Sequence, residues 1–560
     1  MTANLHRGKN MEGSQAVIKC LKEQRVNTIF GYPGGMILPL FDALGKDSSI
    51  DFILTTHEQS SAHAADGYAR ASGKAGVCIA TSGPGATNLV TGIATAFMDS
   101  VPMVIITGQV DSNLLGRDSF QETDIFGITM PITKHNFKLQ SAKELIPLLR
   151  KAFALALSGR QGPVLIDIPK DFFYADIAYP ENTTENKAAK PDADFIICAA
   201  EAIDEILKAE RPVIIAGGGV VLGRAHKELI AFAEKYKLPV VSTLMGIGAF
   251  PNDHPLYMGF AGLHGRKSAN YTVAEADLVI AVGSRFGDRQ TGNIAHYIYE
   301  KHFIHIDIDP AEIDKNVHSS IGLSGDMKTI LNLLMQREAV NNPDAWWKTL
   351  KKHKEKFAYE YTGKYDVPNI MHHISQTINK GDYAVVTDVG QHQMWAAQHI
   401  RRRTPRTWFT SGGLGTMGFG LPAALGIQLY YKNKKRVIHI AGDGGIKMTG
   451  SEYYTIAALR LPIISIIINN ESLGMIRQLQ KVYYGARYFS CNFEYKMNYV
   501  KYTESFGIRT YDVHSMDEFV EAFSNALALN EPQAIIVNAG KAFVEPMANT
   551  VSGINTFVNF

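Results

Sequence analysis

The chain has 560 residues, of which 46% are hydrophobic and 20% are charged, as is usual for a globular protein. At roughly 150 residues per domain, this length predicts about three or four domains. The formal net charge of +2 gives no reason to expect a nucleic acid or a membrane surface as a partner. No apolar run reaches the roughly 18 residues needed to cross a bilayer. The 4 cysteines have no paired spacing, and residues 1–11 lack an apolar core. We therefore expect reduced thiols, no secretory signal and a cytoplasmic protein.

Apolar runs of strand length alternate with longer helical stretches along the whole chain, which predicts α/β domains with parallel sheets. Two polar or charged stretches, residues 180–194 and residues 341–365, interrupt this pattern and predict linkers. We therefore predict three doubly wound domains, over residues 1–185, 195–340 and 365–545. The first and third have similar size and strand number, as expected of two related domains with another between them. The predicted strands are residues 27–31, 50–54, 76–81, 102–107 and 163–168, then 212–216, 238–242, 277–282 and 303–308, then 383–388, 436–441, 462–468 and 533–538.

The most informative motif is Gly442-Asp443-Gly444, followed by Asn469-Asn470. The apolar runs before them are rich in β-branched side chains, which is typical of strands buried on both faces. Asp443 and Asn470 are therefore expected at the carboxyl ends of two parallel strands, where open α/β sheets bind ligands. A carboxylate and an amide oxygen beside small glycines suit a hard divalent cation that bridges a diphosphate. The spacing resembles the binding motif for thiamine diphosphate (ThDP), and an ordinary βαβ turn is the alternative.

The first predicted domain has candidate residues at the same kind of edge. Glu58 follows the apolar residues 52–54. ThDP needs an acid that hydrogen-bonds its aminopyrimidine ring, and Glu58 is the candidate for this role. The alternative is a glutamate that lies at a helix N-terminus without a catalytic role. Glycine-rich turns at residues 31–35 and 82–88 follow two other strands of this sheet, which favours a ligand-lined edge.

Segments in the same order along the chain, from about residue 12 to residue 546, resemble the catalytic subunit of acetohydroxyacid synthase, also called acetolactate synthase. They include GYPGG at residues 31–35, TSGPGATN at 81–88, RFGDRQTGN at 285–293, DVGQHQMWAAQ at 388–398 and SGGLGTMGFGLPAA at 411–424. The resemblance implies an enzyme that decarboxylates pyruvate and transfers the two-carbon unit to a second pyruvate or to 2-oxobutyrate. The products are 2-acetolactate and 2-aceto-2-hydroxybutyrate, which begin branched-chain amino acid biosynthesis. It also implies a homodimer or a dimer of dimers, with a small regulatory subunit as a further partner.

The resemblance assigns roles to individual residues. Glu58 activates ThDP, and Arg289 holds the carboxylate of the second 2-oxo acid; the alternative for Arg289 is a surface salt bridge. Asp443, Asn470 and the backbone oxygen of Ser472 hold Mg²⁺. Contacts with ThDP are implied for Pro33, Gly35, Gly390, Gln391, His392, Gly415, Met417, Gly444, Gly445, Gly474 and Met475, although Met417 could equally be a core methionine. Phe120, Gln121 and Lys170 are implied to line the substrate route from the other subunit.

The segment RFGDR at residues 285–289 resembles the RFDDR segment of acetohydroxyacid synthases that contain FAD, with Gly287 in place of one aspartate. FAD is therefore expected as a structural cofactor, because the net reaction needs no electron transfer. Its implied contacts are Arg160, Gly217, Gly218, Thr243, Leu244, His264, Gly265, Arg285 and Asp307. The alternatives are a pyruvate oxidase that uses the flavin for electrons, a related 2-oxo acid carboligase, and a non-catalytic protein of the same fold that acts in an assembly.

Leu479 departs from the family pattern, because many members have tryptophan at this position. That residue helps to favour 2-oxobutyrate and stacks on sulfonylurea-type herbicides. A missing contact of methylene size is worth ~1–3 kcal/mol of discrimination. We therefore expect a weak preference for 2-oxobutyrate and poor sensitivity to those herbicides, unless a neighbouring side chain fills the gap.

Overall fold

The computed structural model describes residues 10–180, 193–338, 343–379 and 382–558. Most of the first predicted linker, residues 181–192, lies outside the described residues. The second contains a helix, Asp344–Lys356, that packs beside the middle sheet's helices. In the described parts of the chain, no helix is both long and apolar enough to cross a membrane.

The first domain consists of alternating strands and helices around one parallel sheet. Its elements are β1 (Asn10–Glu12), α1 (Gly13–Glu23), β2 (Thr28–Gly31), α2 (Leu38–Gly45), β3 (Asp51–Leu54), α3 (Glu58–Ser72), β4 (Gly76–Ala80), α4 (Pro84–Asn88), α5 (Val90–Met98), β5 (Met103–Gln109), α6 (Ile125–Thr129), β6 (His135–Lys138), α7 (Leu145–Leu157), β7 (Pro163–Pro169), α8 (Lys170–Tyr174) and β8 (Asp176–Ala178). The sheet order is β3-β2-β4-β5-β7-β6, and β1 pairs with β8 in a separate antiparallel ribbon.

The middle domain has the same kind of architecture. Its elements are α9 (Ala193–Lys208), β9 (Pro212–Ala216), α10 (Gly218–Leu222), α11 (His226–Lys235), β10 (Val240–Ser242), β11 (Tyr257–Phe260), α12 (Lys267–Ala274), β12 (Leu278–Val282), α13 (Asp288–Thr291), α14 (Ile294–Ile298), β13 (His302–Asp307), β14 (Ile321–Ser324) and α15 (Met327–Leu334), with α16 (Asp344–Lys356) after them. The parallel sheet has the order β11-β10-β9-β12-β13-β14.

The third domain repeats the pattern and ends in a hairpin. Its elements are α17 (Val367–Ile378), β15 (Tyr383–Thr387), α18 (Gln391–His399), β16 (Trp408–Phe409), α19 (Gly420–Tyr431), β17 (Arg436–Gly442), α20 (Asp443–Thr449), α21 (Tyr453–Ala458), β18 (Ile464–Asn469), α22 (Gly474–Tyr483), α23 (Tyr499–Glu504), β19 (Arg509–Val513), α24 (Met516–Ala528), β20 (Gln533–Asn538), β21 (Met547–Asn549) and β22 (Gly553–Val558). The parallel sheet has the order β16-β15-β17-β18-β20-β19.

Three six-stranded parallel sheets flanked by helices confirm the predicted fold class. Each sheet is doubly wound because short βα and αβ connections return every strand in the same direction. The central strands are wholly buried, as in β9 and β12, where every residue is inaccessible to solvent. Their continuous apolar runs follow from helices covering both faces. The domain limits proposed above stay predictions, although the hairpin β21–β22 lies beyond the third range and its Ala548 and Ile554 belong to the core cluster of the middle domain.

The first and third domains pack closely through α3 and α19. Gly67 and Gly426 lie at the contact: a Cβ at Gly67 would be 2.4 Å from Ala423 O, and one at Gly426 would be 1.9 Å from Ala64 O. Beside this contact the buried Arg70 guanidinium pairs with Asp66 and Asp99. The same guanidinium donates to Thr410 O at 3.0 Å, which joins the two domains near the third domain's sheet edge.

Candidate functional site

A cavity of about 1110 Å³ opens between the middle and third domains and reaches the first domain. Sites for small ligands usually measure about 300–1,000 Å³, so this space can hold more than one. The predicted residues that line it are Arg160, Gly218, Thr243, Leu244, His264, Arg285, Arg289, Asp307, Gly390, Gln391, His392, Gly415, Met417, Asp443, Gly444, Gly445, Asn470, Ser472, Gly474, Met475 and Leu479. The candidate diphosphate residues and most candidate FAD residues thus face one continuous space.

Asp443 and Asn470 lie where the sequence predicts them, directly after β17 and β18. These strands are neighbours, and Gly442 pairs with Ile468 at the edge. Gly444 N–H donates to Asp443 Oδ1 at 2.9 Å, whereas Asp443 Oδ2 is buried without a hydrogen-bond partner among the described residues. Burial raises the pKa of Asp443 from 3.8 to about 6, against the opposing effect of nearby N–H groups.

This donor set suits a hard divalent cation. Asn470 Oδ1 already accepts the N–H and the hydroxyl of Ser472, both at 3.1 Å, so the amide oxygen is held beside Asp443 rather than turned away. A buried carboxylate oxygen without a partner is costly unless a cation or a proton joins it. Carboxylate, amide and backbone oxygens are the ligands that Mg²⁺ prefers. Within the described residues no three His, Cys, Asp or Glu side chains cluster for a metal ion, so a cation here would need the amide and backbone oxygens.

Glycines leave room in front of these residues. A Cβ at Gly474 would lie 2.0 Å from Gln391 Oε1 and 2.8 Å from Asn470 Nδ2. At Gly445 it would lie 2.8 Å from Asp388 Oδ1, and at Gly444 it would lie 3.2 Å from the Met417 methyl. Larger residues at these positions would displace the side chains of the proposed site, which explains why glycine is needed there.

Asp388 is a further candidate site residue, which the sequence reasoning did not single out. Its buried carboxylate follows β15 and accepts N–H groups from Val389 at 2.6 Å, Gly418 at 3.0 Å and Gly420 at 3.1 Å. Burial raises its pKa from 3.8 to about 6. These bonds anchor the loop of Gly415 and Met417, in which Gly415 (φ +71°) and Gly418 (φ +88°) have left-handed backbone. The sequence feature that could have identified Asp388 is its position directly after a buried strand, which is also the position of Asp443.

Gln391 and His392 begin α18 and line the cavity. His392 Nε2 is buried with no partner in the described chain, and burial lowers the pKa of this imidazole to about 4, so it is neutral. Both N–H groups of the Gln391 side chain are already used, by Gln478 Oε1 at 2.7 Å and Ala542 O at 3.0 Å. The donors that α18 offers an anion are therefore its first backbone N–H groups.

The middle-domain side of the cavity carries the residues expected to contact FAD. Gly217 and Gly265 do not line the cavity; each supports it from behind, where a Cβ would lie 1.9 Å from Gly283 O and 2.6 Å from Gly262 N, respectively. Burial lowers the pKa of His264 to about 4, and its Nδ1 lacks a hydrogen-bond partner within the described residues. Burial also raises the pKa of Asp307.

Glu312 was also missed by the sequence reasoning, and its only signal was its position close after β13. Its carboxylate is 4% exposed and lines the same part of the cavity. One oxygen pairs with Arg160 of the first domain and with Lys315, whereas Oε2 is buried and free of hydrogen bonds to described residues. Unpartnered polar atoms on a cavity wall fit a ligand with hydroxyl or amide groups, as a flavin nucleotide has.

Arg289 reaches into the cavity from the start of α13. Its side chain is 75% exposed and its nearest carboxylate is Asp288, at a loose 3.9 Å. An exposed pair at this distance contributes little stability, so the alternative of a structural salt bridge is weak. Gly287, just before α13, has nothing within 4 Å of the position of a Cβ.

Leu479 lines the cavity from α22, near Met475 and Met547. Leu479 is partly exposed, while Met547 is 1% exposed. The wall at this position is therefore aliphatic, with no aromatic face from residue 479.

The first-domain candidates for ThDP and the substrate lie at the carboxyl edge of their own sheet and, unlike Arg160, do not line the cavity. Glu58 begins α3 after β3, is half-buried, and accepts Asn88 Nδ2 at 3.0 Å. Phe120 is 81% exposed, Gln121 has left-handed backbone (φ +61°), and Lys170 begins α8 after β7. Pro33 and Gly35 are exposed in the turn after β2. One chain thus presents two separate half-sites, the cavity and this edge.

Comparisons with known proteins show to which family the chain belongs. Three family descriptions match: "Thiamine pyrophosphate enzyme, N-terminal TPP binding domain" over residues 11–128, the "central domain" over 199–334, and the "C-terminal TPP binding domain" over 388–537. A probable acetolactate synthase large subunit from Methanocaldococcus jannaschii is 44% identical over 96% of this chain and 93% of its own length. The acetolactate synthase isozyme 2 large subunit of Escherichia coli is 42% identical over 94% of this chain and 95% of its own. The acetolactate synthase large subunit of Corynebacterium glutamicum is 42% identical over 94% and 86%, respectively.

Proposed function

Because the chain belongs to the thiamine pyrophosphate enzymes and, within them, to the acetolactate synthase large subunits, we propose that it joins two 2-oxo acids with loss of carbon dioxide. The first substrate is pyruvate, and the acceptor is a second pyruvate or 2-oxobutyrate. The observation that carries this proposal is the single cavity in which Asp443 and Asn470 face the same space as Arg289 and the RFGDR segment. A ThDP site alone would fit any decarboxylase of the family.

ThDP, when bound, supplies the electron sink for decarboxylation and for carbon–carbon bond formation. Asp443, Asn470 and the Ser472 backbone would hold Mg²⁺, since Asp443 and Asn470 follow neighbouring strands at one sheet edge and Ser472 is hydrogen-bonded to Asn470. The first turn of α18 would offer N–H groups to the diphosphate. The wall formed by Gly415 and Met417, anchored on Asp388, would orient the ring system.

Arg289 would bind the carboxylate of the acceptor acid. A guanidinium is always charged and pairs with a planar carboxylate through two parallel hydrogen bonds. Its weak contact with Asp288 leaves those donors available. Leu479 would form part of the wall around the acceptor's alkyl group, so the acceptor preference depends on the aliphatic wall described above.

FAD would occupy the middle-domain side of the cavity. The unpartnered His264 Nδ1 and Glu312 Oε2 atoms there, beside the glycines after β9, support a polar nucleotide ligand. Its role would be structural, since joining two 2-oxo acids transfers no net electrons.

Glu58 would act across a subunit boundary. It does not line its own chain's cavity, so a homodimer in which each first-domain edge covers the partner's cavity would complete two active sites. Glu58 would then exchange a proton with the aminopyrimidine ring, and Phe120, Gln121 and Lys170 would line the way in. The relatives are named large subunits, which supports a small regulatory subunit as a further partner.

The test is consumption of pyruvate by the purified chain with ThDP and Mg²⁺, followed by acid decarboxylation of the product and detection of acetoin. A parallel reaction contains 2-oxobutyrate, and the visible spectrum of the protein is recorded for flavin. Acetoin formation supports the proposal. Stoichiometric hydrogen peroxide or reduction of an electron acceptor, without acetoin, would instead identify a pyruvate oxidase. Glu58→Gln is the matched variant: unchanged turnover would refute the catalytic role of this edge.

A further inference from the structure

Two buried glutamines, Gln391 and Gln478, are hydrogen-bonded to each other next to the proposed metal site. Gln391 is 4% exposed and Gln478, on α22, is fully buried. Gln478 does not line the cavity, and no role in the proposed reaction follows from its position alone. Yet its side chain makes the bond to Gln391 Nε2 described above, two more to the backbone N–H and carbonyl of Val544, and a longer one to Met547 Sδ at 3.6 Å.

Backbone hydrogen bonds fix the orientation of the two side-chain amides, that is, on which side of each amide the oxygen and the nitrogen lie. Val544 N–H donates to Gln478 Oε1 at 2.9 Å, and Gln478 Nε2 donates to Val544 O at 3.1 Å. Because a backbone N–H can only donate and a carbonyl can only accept, this pair permits one orientation of the Gln478 amide. Its Oε1 must then meet a donor on Gln391, which is Nε2, and the second Gln391 N–H meets Ala542 O. Gln391 Oε1 is thereby left facing Asn470 and Gly474.

The requirement that a donor faces an acceptor also applies to the Asn470 side-chain amide. Its Nδ2 points to Gln391 Oε1 at 3.5 Å, so its Oδ1 is turned to Ser472 and to the space beside Asp443. Had Gln391 presented its nitrogen instead, two donors would face each other, and this repulsion would oppose the Asn470 orientation that the Ser472 N–H favours. An Asn470 nitrogen facing the site could not ligate a cation. The backbone N–H and carbonyl of Val544 therefore support, through two side-chain amides, the same Asn470 orientation that the Ser472 N–H favours, with an oxygen facing the metal site.

The segment that carries Val544 is joined to the middle domain. Val544 belongs to the core of the third domain, whereas Ala548, four residues later, belongs to the core of the middle domain. Ala548 N–H donates to Leu263 O, and Asn293 Nδ2 donates to Val551 O at 3.0 Å. A shift of this segment relative to the third domain would strain or break the two hydrogen bonds between Val544 and the Gln478 amide.

We propose that Gln478 is a positioning residue that couples the C-terminal segment, residues 542–548, to the cation-binding edge: together with Ala542 O it orients the Gln391 amide, which supports the orientation of Asn470. The inference rests on the proposed binding of Mg²⁺ and ThDP at this edge. It assigns Gln478 an effect on cofactor affinity although Gln478 would touch neither the cofactor nor the substrate.

The test compares Gln478→Met with Gln428→Met in the full-length enzyme. Gln428 is a matched control, since it is 1% exposed and its amide, like that of Gln478, bonds to backbone groups of its own domain, namely Lys432 O, Lys435 O and Val437 N–H, but not to Gln391. Mg²⁺ is titrated at fixed ThDP, with cofactor-induced fluorescence change and thermal midpoint as readouts. We expect at least a tenfold higher half-saturating Mg²⁺ for Gln478→Met, nearly unchanged turnover at saturating Mg²⁺, and no such shift for Gln428→Met. Equal shifts in both variants, or none in Gln478→Met, would overturn the proposal.

A second measurement needs no substitution. Hydrogen exchange of the Val544 amide should slow when ThDP and Mg²⁺ bind, because coupling between two sites is reciprocal. The Val437 amide, held by Gln428, should not respond. An unchanged Val544 amide would contradict the coupling even if Gln478→Met failed to fold. Failure of the unmodified enzyme to bind ThDP and Mg²⁺ would refute the proposed cofactor site itself, and this inference with it.

Discussion

Asp388→Asn separates the stability of the fold from the organisation of the site. The substitution keeps the shape of the side chain and removes its charge. It also replaces one acceptor oxygen by an NH₂ group. Since the wild-type carboxylate accepts three backbone N–H groups, from Val389, Gly418 and Gly420, at least one of them must then face a donor.

The magnitude follows from the pKa of this carboxyl. Burial raises it from 3.8 to about 6, so the ionised folded form is disfavoured by about 3 kcal/mol relative to the unfolded chain. Because the folded pKa is the higher one, the stabilising contribution is fully present below about pH 4 and is lost as the pH rises through about 6. Roughly half of the loss falls between pH 5 and pH 8. Asparagine does not titrate, so the variant does not lose this stability, and its free energy of unfolding should rise relative to that of the wild type as the pH rises. The lost hydrogen bond, in contrast, costs the variant ~1–3 kcal/mol at every pH.

The functional effect has the opposite sign. Without two good acceptors, the Gly418–Gly420 backbone loses its anchor, and Gly415 and Met417 shift with it. A shift that costs about 1.4 kcal/mol of binding free energy weakens affinity tenfold. We therefore expect ThDP affinity at pH 8 to fall at least tenfold.

Urea unfolding of the cofactor-free enzyme at pH 5 and pH 8, together with ThDP titration, measures both effects. The matched control is Asp382→Asn, since Asp382 is 78% exposed in a surface pair with Lys435 that contributes little. The reasoning is refuted if the stability difference between Asp388→Asn and wild type is the same at both pH values, or if ThDP affinity does not change.

Four further substitutions test separate parts of the site. Leu479→Trp restores an aromatic wall and should raise the preference for 2-oxobutyrate over pyruvate by roughly 10–200-fold, measured by product ratio in competition. Asp443→Ala removes the unpartnered carboxylate, so Mg²⁺ with ThDP should no longer raise the thermal midpoint. Glu58→Gln should bind ThDP normally but lower turnover by roughly 10²–10⁴-fold, as expected when a proton-transfer group is lost. Gly287→Asp places a side chain in open space before α13 and should leave flavin content unchanged while stabilising by at most a few tenths of a kcal/mol.

Each of these four predictions is contradicted by a specific result. An unchanged product ratio in Leu479→Trp would mean that neighbouring side chains already fill the wall, with Leu459→Trp, at an exposed site, as the control. If Mg²⁺ with ThDP still raised the thermal midpoint of Asp443→Ala, the metal would have to bind at another site. Weakened ThDP binding in Glu58→Gln would show a structural role, and loss of flavin in Gly287→Asp would show that the glycine contacts the nucleotide.

The central strands of all three sheets were predictable, but most edge strands were not. Strands such as β12 and β18 are buried on both faces, so their sequences are continuous apolar runs. The strands missed in the three main sheets, β6, β11, β14, β16 and β19, all lie at sheet edges. An edge strand such as β19, RTYDV, is mostly exposed or partly exposed and therefore lacks the apolar signal.

The positions of the candidate residues Asp443, Asn470 and Glu58 were predictable from the sequence, because each follows a strand that a parallel α/β sheet must place with its carboxyl end at one edge. Only the packed structure shows which of them share a space: one cavity joins Asn470 to Arg289, and Glu58 does not line it. The packed structure also decided the roles of Asp388 and Gln478, whose partners are backbone groups about 30 and 66 residues away. Such bonds join segments that only packing brings together, so no local pattern could reveal them.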